Sequence, residues 1–447
     1  PALFLRVLRE EDKAAAVREA IVNSANPSRF SVNTASFEQV PNSPLCYWVS
    51  DTVRRMYSKL PSFKGENRVV KQGLATADDF RFVRLWTEVP PHKIGSKWFP
   101  FAKGGAYSPY YADLHLVVNW ENSGEEIKAN RHPDGRVRSN VWMLKETEKQ
   151  WFFQPGLTWQ GRPSRRGGFS IVPSGCIFSH TGMMAFMPSK DLWWSVAVAN
   201  STPFIGLLHL LMPRGGADSG QTLRYEVGYV GSVPMILPTS DTVKELEMAS
   251  FDGFRSQREL ASIQETCLWF RLPSTTYSKF NRSIWALWQT CNSEIGSLTE
   301  SLREVRLAVD DVVSELYGLD DDDIACLKES AGDIPLSARS TSLDVVTTEE
   351  ECGRMDEQLD GGEVAIAASS FTAGIFSWCL GVAFGRWDVR FATGERPIPT
   401  LPDDPFTPLP AYSPGMLVDP LVIAGKLEYP IRVDSDGILV DDPENSD

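Results

Sequence analysis

The chain changes its hydrophobic rhythm twice. Over the first sixty residues the rhythm is helical: Asp12 to Asn23 is rich in alanine, and Tyr47 to Leu60 places Trp48, Val53, Met56 and Leu60 on one stripe. From Val69 to about Leu237 it shortens to alternating or wholly apolar runs, FRFVRLWTEV, LHLVVNW, WFFQPGLTW, GCIFSH and WSVAVAN, separated by Gly, Pro and Asn clusters, and these predict strands. Within Arg81 to Val89, read as a strand, Phe82, Arg84 and Trp86 share one face while Val83, Leu85 and Val89, the expected core, share the other. Pro203 to Leu211 reads as a helix with proline in its first turn and Pro213 behind it.

The helical period then returns. Thr242 and Glu245 stand at the spacing of a capping box and open a helical region that runs to about Leu327. Its clearest helix spans Ser293 to Tyr317, where Ile295, Leu298, Leu302, Val305, Val309, Val312 and Leu316 recur at spacings of three and four and Gly318 is the stop. The polar, acidic stretch 333–362 predicts a loop. Val364 to Phe384 carries no charge and is long enough to span a bilayer, but its Ser, Thr and Gly content favours a buried helix without membrane contact. Arg396 to Pro420 is dense in proline and must run extended over a surface. Together these predict a mixed α/β (α+β) fold: a helical segment over 1–62, a β-rich domain over 63–240, a long-helix spacer over 241–332, and an acidic loop, apolar helix and Pro-rich extension over 333–447.

A chain of 447 residues with 42% hydrophobic content can bury a large core. Its net charge of -14 argues against a polyanion partner until it is divided. Residues 1–240 hold 28 Lys and Arg against 20 Asp and Glu, a net +8, and the remainder carries -22. Seven scattered cysteines without a CxxC pair fit reduced thiols in a cytoplasmic protein. The start at Pro1, with mixed charge behind it, reads as an excised fragment without a signal peptide.

Catalytic signatures are sparse. There is no GxGxxG, GxxxxGK, GxSxG, HExxH, or DPPY/NPPY tetrapeptide, and the five histidines lie too far apart in sequence to propose a metal site. One pattern matches by the letter: Asp113 followed by Glu126-Ile127-Lys128, the residue types with which nucleases hold Mg²⁺ and orient the attacking water. A solvated charged turn accounts for it better. Lys97 to Trp120, KWFPFAKGGAYSPYYADLHLVVNW, sets aromatic rings beside Lys97, Lys103 and Gly104-Gly105, which suits a surface that meets a charged, planar polymer. Trp86, Trp98, Tyr107, Tyr110, Tyr111 and Trp120 could stack on bases, although core packing explains most of them better. Arg131, Arg136 and Arg138 surround the Pro133-Asp134-Gly135 turn, and Arg162, Arg165 and Arg166 precede Gly167-Gly168; loops of this kind clamp phosphates. The expected DNA contacts are therefore Arg84, Lys97, Lys103, Gly104, Gly105, Arg136, Arg138, Arg165 and Arg166.

The succession GLATADDFRFVRLWTEV from Gly73, KWFPFAKGG from Lys97, VVNWENSGEEIK from Val117, LTWQG from Leu157 and ELYGLDDDD from Glu315 resembles the specificity region of BREX-type phage-defence adenine methyltransferases and their type IIG relatives. FGRWDVRFATGERP from Phe384 and DGILVDDP from Asp436 are similar to members of the same group. Where the family continues after the two glycines with a basic residue and Trp-Tyr-Gly, this chain has Ser108-Pro109-Tyr110-Tyr111-Ala112. The resemblance implies a target-recognition module that binds double-stranded DNA, with residues 1–62 connecting it to a methyltransferase domain outside this chain. On that implication S-adenosylmethionine belongs to the parent enzyme, and this portion holds neither cofactor nor catalytic residue. Two rival readings are a Mg²⁺-dependent endonuclease built on Asp113, Glu126 and Lys128, and a non-catalytic acidic protein that recruits other defence-system proteins.

Overall fold

A computed structural model of the chain describes residues 1–8, 10–163, 166–212, 223–273, 283–332 and 366–417. Arg165, Cys352, the acidic stretch 333–362, the end of the Pro-rich segment and the tail from Asp436 lie outside the described residues.

The first segment folds as β1 (Ala2–Leu5), α1 (Lys13–Val22), β2 (Arg29–Val32) and α2 (Asp51–Lys59), with β1 and β2 paired antiparallel. Short polar side chains set its helix ends: Asp12 accepts from the Ala15 amide and Ser50 from the Val53 amide. The strand-rich part follows as β3 (Val69–Lys71), α3 (Asp79–Phe82), β4 (Val83–Leu85), β5 (Trp98–Ala102), β6 (Tyr110–Tyr111), β7 (Leu116–Asn119), α4 (Glu125–Ala129), α5 (Lys145–Gln150), β8 (Gly156–Trp159), β9 (Phe169–Val172), β10 (Ile177–Phe178) and β11 (Met184–Phe186). Helices then take over: α6 (Ser189–Asn200), α7 (Thr202–Leu210), α8 (Val227–Gly231), α9 (Ser240–Ala261), α10 (Ile284–Tyr317), α11 (Asp321–Ala331), α12 (Ala368–Ala383) and α13 (Arg390–Thr393). The mixed α/β class is as expected.

Beyond the β1/β2 pair, the strands form a four-stranded sheet in the order β10-β5-β7-β4 and a five-stranded sheet in the order β3-β11-β8-β9-β6. Pairing is antiparallel except for β10 with β5 and β6 with β9. Alternation along each strand sends neighbouring residues into different cores. Phe101 and Val118 of the smaller sheet meet Val172, Met184 and Phe186 of the larger one in a shared central layer. On the outer face of the larger sheet, Leu157, Trp159, Phe169 and Ile171 pack against α6, α7 and the C-terminal half of α10. On the outer face of the smaller sheet, Trp98 and Val117 pack against Phe270, the start of α10 and Trp378 of α12.

At 34 residues, α10 is about 51 Å long and nine residues longer at its start than its periodicity predicts. Leu287, Cys291 and Ile295 serve one core, whereas Val305, Val309, Val313 and Tyr317 serve another. The helix thus braces two cores, and it ends on left-handed Gly318 as expected. All nine residues of α7 are buried. Asp310 of α10 accepts from the Thr202 amide and hydroxyl, each at 2.6 Å, and so anchors the α7 N-terminus.

Several expectations are corrected. The stretch 81–89 is not one strand. Asp78 caps a helical turn, β4 holds only three residues, and a 3₁₀ turn follows at Trp86–Glu88. Phe82 and Trp86 are consequently buried, in different cores, while Val83 and Leu85 are only partly so. The cap of α9 is Thr239, three residues before the predicted Thr242, whose amide it receives. Helix α12 buries Phe371 and Trp378 but leaves Phe376 and Leu380 on an exposed face. Among the described residues no helix is long and apolar enough to cross a membrane, and the six described cysteines are unbridged.

Candidate nucleic-acid interface

The rings of the 97–120 stretch face inward. Trp98, Phe101, Tyr110, Tyr111 and Trp120 are all buried, so the stretch is a source of core and not a stacking platform. Its glycines have an internal use as well. Gly104 sits at φ +87°, and a Cβ there would lie 3.2 Å from the Thr181 carbonyl oxygen. The close backbone approach that glycine permits is therefore to this chain's own 181–182 turn, where the Thr181 hydroxyl donates to the Lys103 carbonyl at 2.7 Å. Gly105 alone of the two is open, with nothing near its Cβ position.

The basic candidates separate into three groups. Lys97 and Lys103 flank the two ends of β5, about 20 Å apart along an extended strand. Lys97 leans over Trp98 and stands 4.0 Å from Glu121. Lys103 pairs with Asp79 of α3. Burial works to raise the Asp79 carboxyl, but hydrogen bonds from Lys103 and Thr76 and the Lys103 charge outweigh it and hold the group below its ordinary value. Arg84 turns back to donate to the Phe80 and Val83 carbonyls and lies 5.8 Å from the Trp98 ring centroid.

The second group is the hairpin bridged between Arg131 and Val137. Left-handed Gly135 makes its turn, and the Arg136 carbonyl accepts from the His132 amide at 2.8 Å. Arg131 donates to the Gly135 carbonyl at 2.7 Å, Arg138 to the Arg131 carbonyl at 3.1 Å, and Arg136 pairs with Asp134 at 2.7 Å. All three arginines remain exposed, Arg136 with 80% of its side chain accessible.

In the third group Arg162 is exposed, Arg165 lies outside the described residues, and Arg166 is corrected by burial. Arg166 is 3% exposed, and its guanidinium donates to the Asn200 carbonyl at 2.7 Å and the Thr202 hydroxyl at 3.2 Å. It joins the end of α6 to the start of α7 and offers nothing to a ligand.

Three links draw the exposed groups onto one edge. Lys103 ties Gly104 and Gly105 to α3, and Arg81 of α3 stands 3.7 Å from Glu126 of α4, the helix that leads into the hairpin. Asn140, on the far side of the hairpin, donates to the Gly73 carbonyl and accepts from the Ala75 amide, at 2.9 and 2.8 Å. The 103–105 loop and both flanks of the 131–138 hairpin thus adjoin the segment 73–82. Two aromatic rings outside the sequence-derived set are exposed here, Phe80 and Trp142.

The nuclease constellation does not assemble. Glu126 and Lys128 stand two apart on a helix, so they diverge by about 200°. Glu126 takes the Asn119 amide at 3.2 Å, Lys128 pairs with Glu148 at 2.6 Å, and Asp113 pairs with His115 at 3.6 Å. Among the described residues no cluster of three His, Cys, Asp or Glu side chains could hold a metal. A groove of about 560 Å³ between α9 and α10 is lined by Glu245, Asp252, Arg255, Glu259 and Glu304 and lies away from these basic groups.

No family model matches the chain. Over 352 residues, 75% of its length, it is 25% identical to the adenine-specific methyltransferase PglX of Lacticaseibacillus casei (strain Zhang), of which it covers 28%. Over 210 residues it is 29% identical to the adenine-specific methyltransferase BrxX of Escherichia coli O9:H4 (strain HS), a match covering 45% of this chain and 16% of that protein. Among solved structures, the type IIL restriction-modification enzyme MmeI in complex with DNA superposes on 61% of this chain and 36% of its own at a TM-score of 0.37, with 12% identity. The chain is homologous to the two adenine-specific methyltransferases and corresponds to less than a third of either.

Proposed function

We propose that this chain is the DNA sequence-recognition portion of an adenine-specific, S-adenosylmethionine-dependent DNA methyltransferase of a phage-defence or restriction-modification system. The observation that carries the reading is the homology to PglX, which runs through three quarters of this chain yet takes up only 28% of that protein. A portion of that size leaves room for a catalytic domain elsewhere in the parent. The cofactor and the catalytic residues belong there, and double-stranded DNA and the methyltransferase domain are this chain's partners.

The edge formed by the 79–82 turn, the 103–105 loop and the 131–138 hairpin is the face that meets the duplex. Arg136 and Arg138 reach phosphates there, with Arg84, Lys103, Gly104 and Gly105 beside them. Lys97 stands at the opposite end of β5 and serves a separate contact. Held on a rigid scaffold, these groups position the duplex while the partner domain takes an adenine out of the stack.

Binding of the purified protein to a random-sequence duplex library at rising salt tests the reading. Enrichment of one sequence, with an affinity that falls steeply as salt rises, is the expected result. Failure to retain any duplex at low salt refutes it. Cutting of plasmid with Mg²⁺, abolished by Glu126→Gln, would favour the endonuclease.

A further inference from the structure

Phe80 is 88% exposed, the most exposed of the large hydrophobic side chains described. It is also held firmly. The turn that bears it is capped by Asp78, whose carboxylate accepts from the Arg81 amide at 3.1 Å, and its carbonyl receives the Arg84 guanidinium. Asp79 on one side is clamped by Lys103 and Thr76, and Phe82 on the other is fully buried in the central core. On a helical turn, residues two apart point in opposite directions, so anchoring Phe82 inward drives Phe80 outward. A phenyl ring turned outward from a pinned turn forfeits its burial.

Its surroundings indicate what it meets. Arg81 lies next to it in sequence, Lys103 is fixed to its neighbour Asp79, and Arg81 stands 3.7 Å from Glu126 of α4, the helix that leads into the hairpin of Arg131, Arg136 and Arg138. The nearby acids are engaged: Asp78 in the cap, Asp79 with Lys103, Glu126 with Arg81 and, in the hairpin, Asp134 with Arg136. An apolar wedge bordered by basic side chains suits a polyanion with stacked rings, where the bases flank the phosphates and the ring enters a base step.

We infer that Phe80 is a wedge that enters a base step of the bound duplex and unstacks it. This rests on the DNA-recognition reading and adds a local distortion of the duplex, by a residue of this chain, to the contacts proposed above. Phosphate contacts alone would leave the duplex stacked, whereas a wedge makes affinity depend on how easily one step opens.

The test uses the full-length protein and the duplex it selects from a random library, with 2-aminopurine placed in turn at each position outside the methylated adenine. Wild type is expected to raise the fluorescence several-fold at one step. Phe80→Ala removes that rise, weakens binding about tenfold and unfolds at the wild-type temperature, while Phe80→Leu, a smaller wedge, keeps part of both effects. Wild-type fluorescence and affinity in Phe80→Ala would overturn the wedge and leave DNA recognition standing. If wild type selects no duplex, the recognition reading falls and the wedge falls with it.

Discussion

Two arginine-bearing stretches of this protein look alike as sequence, yet Arg136 of one is exposed and Arg166 of the other is buried. RHPDGRVR, residues 131–138, and RPSRRGG, residues 162–168, both interleave arginine with Pro and Gly. The first closes on itself: its carbonyls accept from its own guanidinium groups and its three arginines stay in solvent. The second leads directly into β9, whose four residues are all buried, and Arg166 is drawn in with it to the α6/α7 junction. The same guanidinium chemistry thus serves as a solvent-facing charge in one place and as an internal hydrogen-bond donor in the other. What decides between them is the element that follows, not the local composition.

Deleting the buried arginine should give the largest effect. Arg166→Ala leaves the Asn200 carbonyl and the Thr202 hydroxyl short of a donor inside the fold, and should cost about 3 kcal/mol in urea unfolding. Arg136→Ala should change stability by less than about 0.5 kcal/mol in the same measurement. Equal costs for the two would break the contrast. The 162–168 loop has a second internal tie. His209 donates through Nδ1 to the Ser330 carbonyl at 2.8 Å, which leaves Nε2 to accept from the Tyr225 hydroxyl at 2.6 Å, and the Tyr225 oxygen in turn accepts from the Gly167 amide at 3.1 Å. Tyr225→Phe breaks this chain at its centre and should cost about 1–2 kcal/mol, read from the denaturation midpoint.

This contrast also shows how much the sequence makes legible. Helix ends with a side-chain cap or a left-handed glycine, Asp12, Ser201 and Gly318, are local events, and the first and last fall where the letters place them. The start of α10 is harder to see because its first residues, Ile284 and Trp285, are exposed and break the amphipathic pattern. A strand period hides Phe80. Read as strand, FRFVRLW puts Phe82 and Trp86 on one face with Arg84 between them, whereas the Asp78 cap makes the first residues helical and sends Phe80 and Phe82 opposite ways. The signal was present in Thr76-Ala77-Asp78-Asp79, an N-cap sequence ahead of the run. Burial of Arg166 had no such local signal, since its partners lie more than thirty residues away.

The hairpin side of the comparison is sharpened by binding. Arg136→Ala and Arg138→Ala should each weaken binding to all duplex sequences alike and lower the slope of log affinity against log salt by about 1, as loss of one phosphate contact requires. Relaxed preference at a single base pair would instead make that arginine a reader of base edges.

The smallest effect comes from setting the hairpin's ion pair beside one that packs on a core. Asp134 is exposed, and it pairs with Arg136 at 2.7 Å. Asp113 belongs to the segment packed on buried Cys267, and it pairs with His115. Burial works to lower the His115 pKa, but the hydrogen bond and charge of Asp113 outweigh it and raise the value above 6.5. A folded pKa above the unfolded one means that the folded state binds the proton more tightly. The contribution to stability is therefore complete below about pH 6.5 and fades as pH rises through the higher folded value. Unfolding midpoints of wild type should decline across that window, and His115→Gln should remove the decline. Because the imidazole is only half-buried, the slope should be shallow, and Arg136→Ala should leave it unchanged.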